Sequence, residues 1–268
     1  MTFLSAALKC GRPDTLAVVF NSDRHHAGRA PDLPFRTHFE GYGAFSTLRA
    51  TVVWFAESDP FWYLEHEAAI HAFLCHYMAR NGVERVALMG LSAGAYAATR
   101  QGILLSAARF PGRRPDITCF AINPQTGFRF SLLHRILGDV EREKWDKGAL
   151  GRDPIILNQY SPDLCRLPLC DISAFAREMP YRDNDRFHVL YDQGNPIVRG
   201  FAEDLLGLPG FQHHPEALGV SHGASGQWLW RALRRSGRIA EALADTADAL
   251  PSQARVRDLP VEQALAPC

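Results

Sequence analysis

VERVALMGLSAGAYAATR, residues 83–100, decides how the chain is read. It opens as a short apolar, aliphatic run, as a buried parallel strand does. It then passes through Gly90-Leu91-Ser92-Ala93-Gly94 into an alanine-rich run, of the composition that favours helix. Small residues thus crowd around one serine where a strand becomes a helix. A sharp turn of that kind leaves no room for side chains two positions either side of the serine. Ala93, Ala95, Ala97 and Ala98 extend the small zone and let the helix pack close to a sheet. The hydroxyl of Ser92 then projects beyond the strand end, beside a helix N-terminus whose backbone N–H groups favour developing negative charge. The plainer reading is a Gly/Ser turn that only caps a helix.

On either side the chain alternates strand and helix. TLAVVF (15–20) and ATVVWFA (50–56) read as buried strands. The run after them carries Ile70, Phe73, Leu74, Tyr77 and Met78 at helical spacing and ends in Asn81-Gly82, a C-cap signal. DITCFAI (116–122) is a further strand, and RFHVLYD (186–192) resumes the pattern, followed by a helix near 198–206, a strand near 211–218 and a helix near 224–235. Such an order implies right-handed βαβ crossovers. The expected fold is α/β, a mainly parallel sheet with helices on both faces. Residues 1–127 and 183–236 form its core. The stretch 128–182 holds an amphipathic segment (Leu132, Leu133, Ile136, Leu137, Val140) and then Pro154, Pro162, Pro168 and Pro180. It is too long for a simple connection and is read as a lid. Residues 237–268 read as a peripheral helix and tail.

With the strand, the elbow and the helix in place, the sequence resembles the α/β-hydrolase superfamily. The resemblance covers roughly residues 15–232 in element order, and GLSAG is its specific motif. It implies that Ser92 is the nucleophile and that the N–H of Ala93 is one oxyanion donor. The second donor would come from the loop beginning FNSDRHH, from the amide of Asn21 or Ser22. The superfamily order is nucleophile, acid, histidine. His222, in GVSHGASG, lies after the last strand and before a helix, in a loop that Gly219, Gly223 and Gly226 make flexible, where the superfamily places its base. The acid belongs in the loop after 186–192. YDQGNPIV offers Asn195 where the superfamily has its aspartate, and Asp192 three residues earlier. Asp192 is preferred, because an amide does not stabilise imidazolium as a carboxylate does. A further similarity, carried by VVFNS, SDP with Trp62-Tyr63, GLSAGAYAA and INPQT, is to hydrolase-like proteins encoded among bacterial surface-polysaccharide genes.

The bulk composition is that of a globular domain: of 268 residues, 47% are hydrophobic and 22% charged. Lys plus Arg and Asp plus Glu are both 29, so no net charge points to nucleic acid. No apolar run reaches the ~20 residues of a membrane span. The N-terminus is a poor signal peptide. The six scattered cysteines form no CxxC pair and suggest reduced thiols in the cytoplasm.

HEAAIH (66–71) is not HExxH, and His71 with Cys75 lacks convergent partners, so no metal is expected. GLSAGAYA is neither GxGxxG nor a P-loop, and no cofactor follows. Asn123 and Gln125, after a strand on the side where open sheets bind ligands, are candidate pocket residues. His213 and His214 read as structural strand residues, His25 and His26 as a solvated or pocket-rim pair, and Glu203 and Asp204 as helix-surface charges.

The leading expectation is a serine hydrolase of carboxylic esters or thioesters, acting on a small or glycan-linked acyl substrate. An acyltransferase using the same acyl-enzyme, or a non-catalytic hydrolase-like binding protein, remain alternatives.

Overall fold

The computed structural model describes residues 4–22, 45, 47–57, 62–128, 132, 135–136, 169–244 and 256–259. Of the expected lid, residues 129–131, 133–134 and 137–168 lie outside these, as do His25, His26 and Phe61.

Strands and helices follow in the order β1 (Leu4–Lys9), β2 (Arg12–Phe20), β3 (Ala50–Glu57), α1 (Glu67–Asn81), β4 (Arg85–Leu91), α2 (Ala93–Ala107), β5 (Asp116–Ile122), α3 (Ile172–Glu178), β6 (Arg186–Asp192), α4 (Pro196–Glu203), β7 (Phe211–Glu216), α5 (His222–Arg235), α6 (Arg238–Ala242) and β8 (Val256–Leu259). The sheet has eight strands in the order β7-β6-β5-β4-β2-β3-β1-β8. From β7 to β3 every pairing is parallel, as the βαβ alternation requires, whereas β1 is antiparallel to both β3 and β8.

Two strands escaped the sequence reading. LSAALK has an alanine-rich composition with little strand preference, and it is held as β1 by pairing along β3. The tail beyond the expected peripheral helix, α6, supplies β8 at the sheet edge.

Strand periodicity divides the core into two layers. Val18, Phe20, Val53 and Phe55 face α1, α2 and α3 (Ile70, Leu74, Tyr96, Ile103, Phe175). Their neighbours Ala17, Val19, Val52 and Trp54 face α5 and α6 (Leu229, Leu233, Ile239). Helices therefore cover both faces, and strands such as β3 are buried along their whole length. Each such side chain contributes about 1.5–3 kcal/mol on leaving water.

Helix α1 ends as its sequence signals: Gly82 takes the left-handed conformation (φ 62°), and both Gly82 and Val83 donate to Met78 O. Arg100, on α2, is buried and joins three elements. It pairs with Glu67 on α1, donates to Leu169 O at 2.7 Å and lies 4.0 Å over the Phe175 ring of α3.

Candidate active site

Asn21, Ser92, Asn123 and Asp192 lie at or directly after the C-terminal ends of parallel strands β2, β4, β5 and β6, and His222 opens α5 beyond β7. Ser92 stands between β4 and α2 with φ 58° and ψ −118°, a backbone conformation that costs a non-glycine residue of order 1–3 kcal/mol. It is the N-cap of α2, yet its side chain makes no capping hydrogen bond. Two other polar N-caps do cap, whereas Asp171 at α3 instead accepts from Phe128 N. Ser221 Oγ accepts from Ala224 N, and Asn195 Oδ1 accepts from Ile197 N and Val198 N. The plain capping reading of GLSAG therefore fails at Ser92 itself.

The two glycines are needed on steric grounds. A Cβ on Gly90 would lie 2.2 Å from Gly94 C and O. A Cβ on Gly94 would lie 2.2 Å from Phe20 O and 2.8 Å from Asn21 O. The second clash shows that the first turn of α2 abuts the end of β2, which brings Ala93 and the Asn21-Ser22 segment to one place. Ala93 is the first residue of α2, where the N–H groups have no intrahelical partner. The N–H of Asn21, however, donates to Phe55 O at 3.0 Å and is already used. Ser22, its neighbour, is buried as well. Tyr63, itself at φ 64°, sets its hydroxyl 3.0 Å from Asn21 O and fixes this segment. Trp62 and Tyr63 are core residues: Trp62 packs edge-on against Tyr96 and Phe128.

Asp192 ends β6 and is fully buried. Its Oδ1 accepts from Gly194 N (2.9 Å), Leu218 N (3.0 Å) and Gly219 N (3.0 Å), and its Oδ2 from Val220 N (3.1 Å). Burial pushes its pKa up, but the four N–H donors outweigh burial and hold the carboxyl below its ordinary value. Three of the four donors belong to the segment that leads into His222. Gly194 makes room for that segment, since a Cβ there would sit 2.6 Å from Gly219 N. Asn195 donates from Nδ2 to Val220 O at 3.5 Å, but its carbonyl oxygen is committed to the N-terminus of α4.

His222 is the first residue of α5, not part of a flexible loop as GVSHGASG suggests, and it is buried. Its carbonyl accepts from Asn123 Nδ2 and Ser225 Oγ, both at 3.1 Å. Asn123 lies directly after β5 and is completely buried at φ 43°. Ser92 N donates to Ile122 O at 3.0 Å, so the serine is one hydrogen bond from the residue preceding Asn123. Close packing of α5 on this corner is visible at Gly226, where a Cβ would lie 2.5 Å from Leu91 Cδ1. Gln125 is buried too, and its Oε1 meets no donor among the described residues.

The sequence reading missed Asn123 as a connector, Ser225, and the contact of Tyr63 with the Asn21 segment. Only Ser225 carried a signal, its i+3 spacing from His222. A further expectation is overturned: Asp204 is no surface charge, since its carboxylate is covered and paired with Arg135. His213 and His214 do sit on β7. His214 Nε2 lies 3.0 Å from His188 Nδ1, and His213 packs against Tyr191. His71 and Cys75 approach to 3.5 Å on α1, and among the described residues no three His, Cys, Asp or Glu side chains converge. Nor is any described helix long and apolar enough to cross a membrane.

The chain matches no protein-family model and no curated protein. Its fold is matched by solved structures at low identity. A hyperthermophilic esterase from the archaeon Pyrobaculum calidifontis superposes with a TM-score of 0.53 at 17% identity, over 90% of this chain and 83% of that one. Carboxyl esterase 2 from the fungus Tuber melanosporum gives 0.54 at 16%, over 90% and 82%. A glycosylation-associated protein of the Gap123 complex from Streptococcus agalactiae gives 0.54 at 15% over 85% of this chain, which spans only 42% of that protein. The strand order, the elbow at Ser92 and these superpositions agree that the chain has the α/β-hydrolase fold.

Proposed function

We propose that the protein is a serine acyl hydrolase that cleaves a carboxylic ester or thioester through an acyl-enzyme on Ser92. The observation that carries this reading is Ser92 itself. A strained serine at a helix N-terminus, with a hydroxyl not spent on capping, is the expected form of a nucleophile and an unexpected form of a cap.

In this mechanism Ser92 Oγ attacks the acyl carbonyl and its proton passes to the His222 imidazole. Ala93 N–H and the amide at Ser22 hold the resulting oxyanion. The tetrahedral intermediate collapses, and the alcohol or thiol leaves with the proton from His222. Water then attacks the acyl-enzyme, His222 again takes the proton, and it returns that proton to Ser92 Oγ as the carboxylic acid departs. Asp192 supplies the negative charge that stabilises imidazolium. Its Oδ2, which accepts only the Val220 N–H among the described bonds, keeps a lone pair for the ring. Buried Gln125 offers an acceptor to a hydroxyl-bearing substrate.

A second reading is acyl transfer to a glycan hydroxyl, with the sugar alcohol replacing water at the acyl-enzyme. It is favoured by the likeness to the streptococcal glycosylation-associated protein. One experiment separates the two. Purified protein is given p-nitrophenyl esters with and without a mono- or oligosaccharide acceptor, beside Ser92→Ala. Free acid in both cases supports hydrolysis, acylated sugar supports transfer, and Ser92-independent or absent release of p-nitrophenol refutes the acyl-enzyme.

A further inference from the structure

The ends of β5 and β6 grip the two sides of the peptide that carries His222. Asp192 holds the approach, through Leu218, Gly219 and Val220. Asn123 holds His222 itself and uses both of its amide hydrogens at this corner. One Nδ2 hydrogen goes to His222 O at 3.1 Å and the other to Ser225 Oγ at 2.8 Å. Its Oδ1 accepts from Asp192 N at 3.3 Å. The carboxamide orientation follows from these partners, because a flipped amide would set its NH2 against the Asp192 N–H and its oxygen against the His222 carbonyl. Asn123 also sits at φ 43°, where a short amide side chain is tolerated better than most. A completely buried side chain whose bonds run to the peptide of the acid and the peptide of the base has a geometric task beyond filling space.

We infer that Asn123 is a positioning residue for the Ser92 reaction, fixing the backbone of His222 relative to Asp192. The inference rests on the acyl-hydrolase reading for its consequence and on hydrogen-bond geometry for its substance. Loss of the two Nδ2 donors leaves the His222 carbonyl one partner poorer and uncouples the base from the end of β5. A displacement of about 1 Å in a catalytic group is enough to lower a rate on the order of 100-fold.

The test uses a fluorophosphonate probe on the full chain, with labelling at saturation and half-saturation measured separately. A second readout is the imidazole 15N signals of His222. Asn123→Ala is compared with Leu233→Ala, which loosens the far end of the same helix without touching the His222 carbonyl. The expected result for Asn123→Ala is a labelling rate at saturation at least about tenfold lower. The half-saturating concentration stays unchanged, and the His222 ring signals move. Leu233→Ala is expected to label as the wild type does, with its ring signals unmoved. Asn123→Asp keeps the shape and removes both donors, and it stands in if the alanine variant does not fold. A wild-type labelling rate in both Asn123 variants overturns the inference, and so does equal slowing in Leu233→Ala. If the wild type itself takes no label at Ser92, the hydrolase reading falls. The ring signals then still decide the positioning: moved in the Asn123 variants, it stands; unmoved, it falls.

Discussion

Replacing Asp192 by asparagine separates two tasks that the carboxylate performs. The residue anchors the segment 218–220 through four backbone N–H groups, and in the proposed mechanism it also carries the charge that stabilises imidazolium. Asparagine fits the same volume. Its single oxygen serves the three donors that now meet Oδ1, but its NH2 faces the Val220 N–H. One bond to a charged acceptor is lost, worth about 1.5–3 kcal/mol. The other three fall from charge-assisted to neutral strength, roughly half. Because the asparagine relaxes and the terms are not additive, the expected destabilisation is about 2–4 kcal/mol. For a domain of this size that lowers the melting temperature by roughly 4–16 °C. Activity falls much further, because the substitution removes the charge that favours the reactive tautomer and stabilises imidazolium. In serine triads that loss is about 10⁴-fold in kcat. The assay pairs thermal unfolding with fluorophosphonate labelling at a temperature where both proteins are folded. Labelling reduced by a factor no larger than the folded fraction would show that Asp192 is only an anchor. An unchanged melting temperature would refute the anchoring as well.

Three further outcomes follow from the same structure. Asn195→Ala removes the cap of α4 and costs about 1 kcal/mol; Ser92 labelling stays within about twofold of wild type, and a loss as large as that of Asp192→Asn would return the acid role to Asn195. Gly94→Ala drives a methyl group into Phe20 O, a backbone atom that does not yield, so it costs about 3 kcal/mol, the upper end of overpacking, and disturbs the elbow; wild-type stability in urea unfolding would contradict the packing. Burial, and then the neighbouring His214 and Arg238, lower the pKa of His188 from 6.5 to about 4. The unfolded chain therefore binds this proton first, so the contribution is complete above pH 6.5 and is lost as pH falls towards 4. Between pH 7 and pH 5 it amounts, with solvent screening allowed for, to on the order of 1 kcal/mol. His188→Gln should remove that difference from the stability measured at the two pH values, and an unaltered difference would assign it elsewhere.

What was legible in the sequence was local or periodic. The strand, elbow and helix around Ser92 are contiguous, so Gly90, Ser92 and Gly94 are visible without any tertiary information. Asp192 was readable because it ends a strand. Asn195 looked like an acid substitute only until its carbonyl was found capping α4, although Asn-Pro is itself an N-terminal helix signal. Gly219, Gly223 and Gly226 around His222 read as a flexible loop, yet Ser221 caps a helix there. Asn123 was legible as a pocket candidate after a strand, but its bonds to the acid and the base were out of reach. Its partners are 69 and about a hundred residues away in sequence and meet it only because parallel strands β5 and β6 end side by side. β1 and β8 were invisible for a related reason, since a strand added to a sheet edge draws its stability from a partner and little from its own composition.

The most direct test of the central claim is the site of covalent modification. Intact protein is treated with a fluorophosphonate, and the adduct is mapped by mass spectrometry in the wild type, Ser92→Ala and His222→Ala. The expected result is one adduct per chain on Ser92, absent from Ser92→Ala and slowed at least about 100-fold in His222→Ala. No adduct on the folded wild type, or an adduct on another residue that persists in Ser92→Ala, would contradict it.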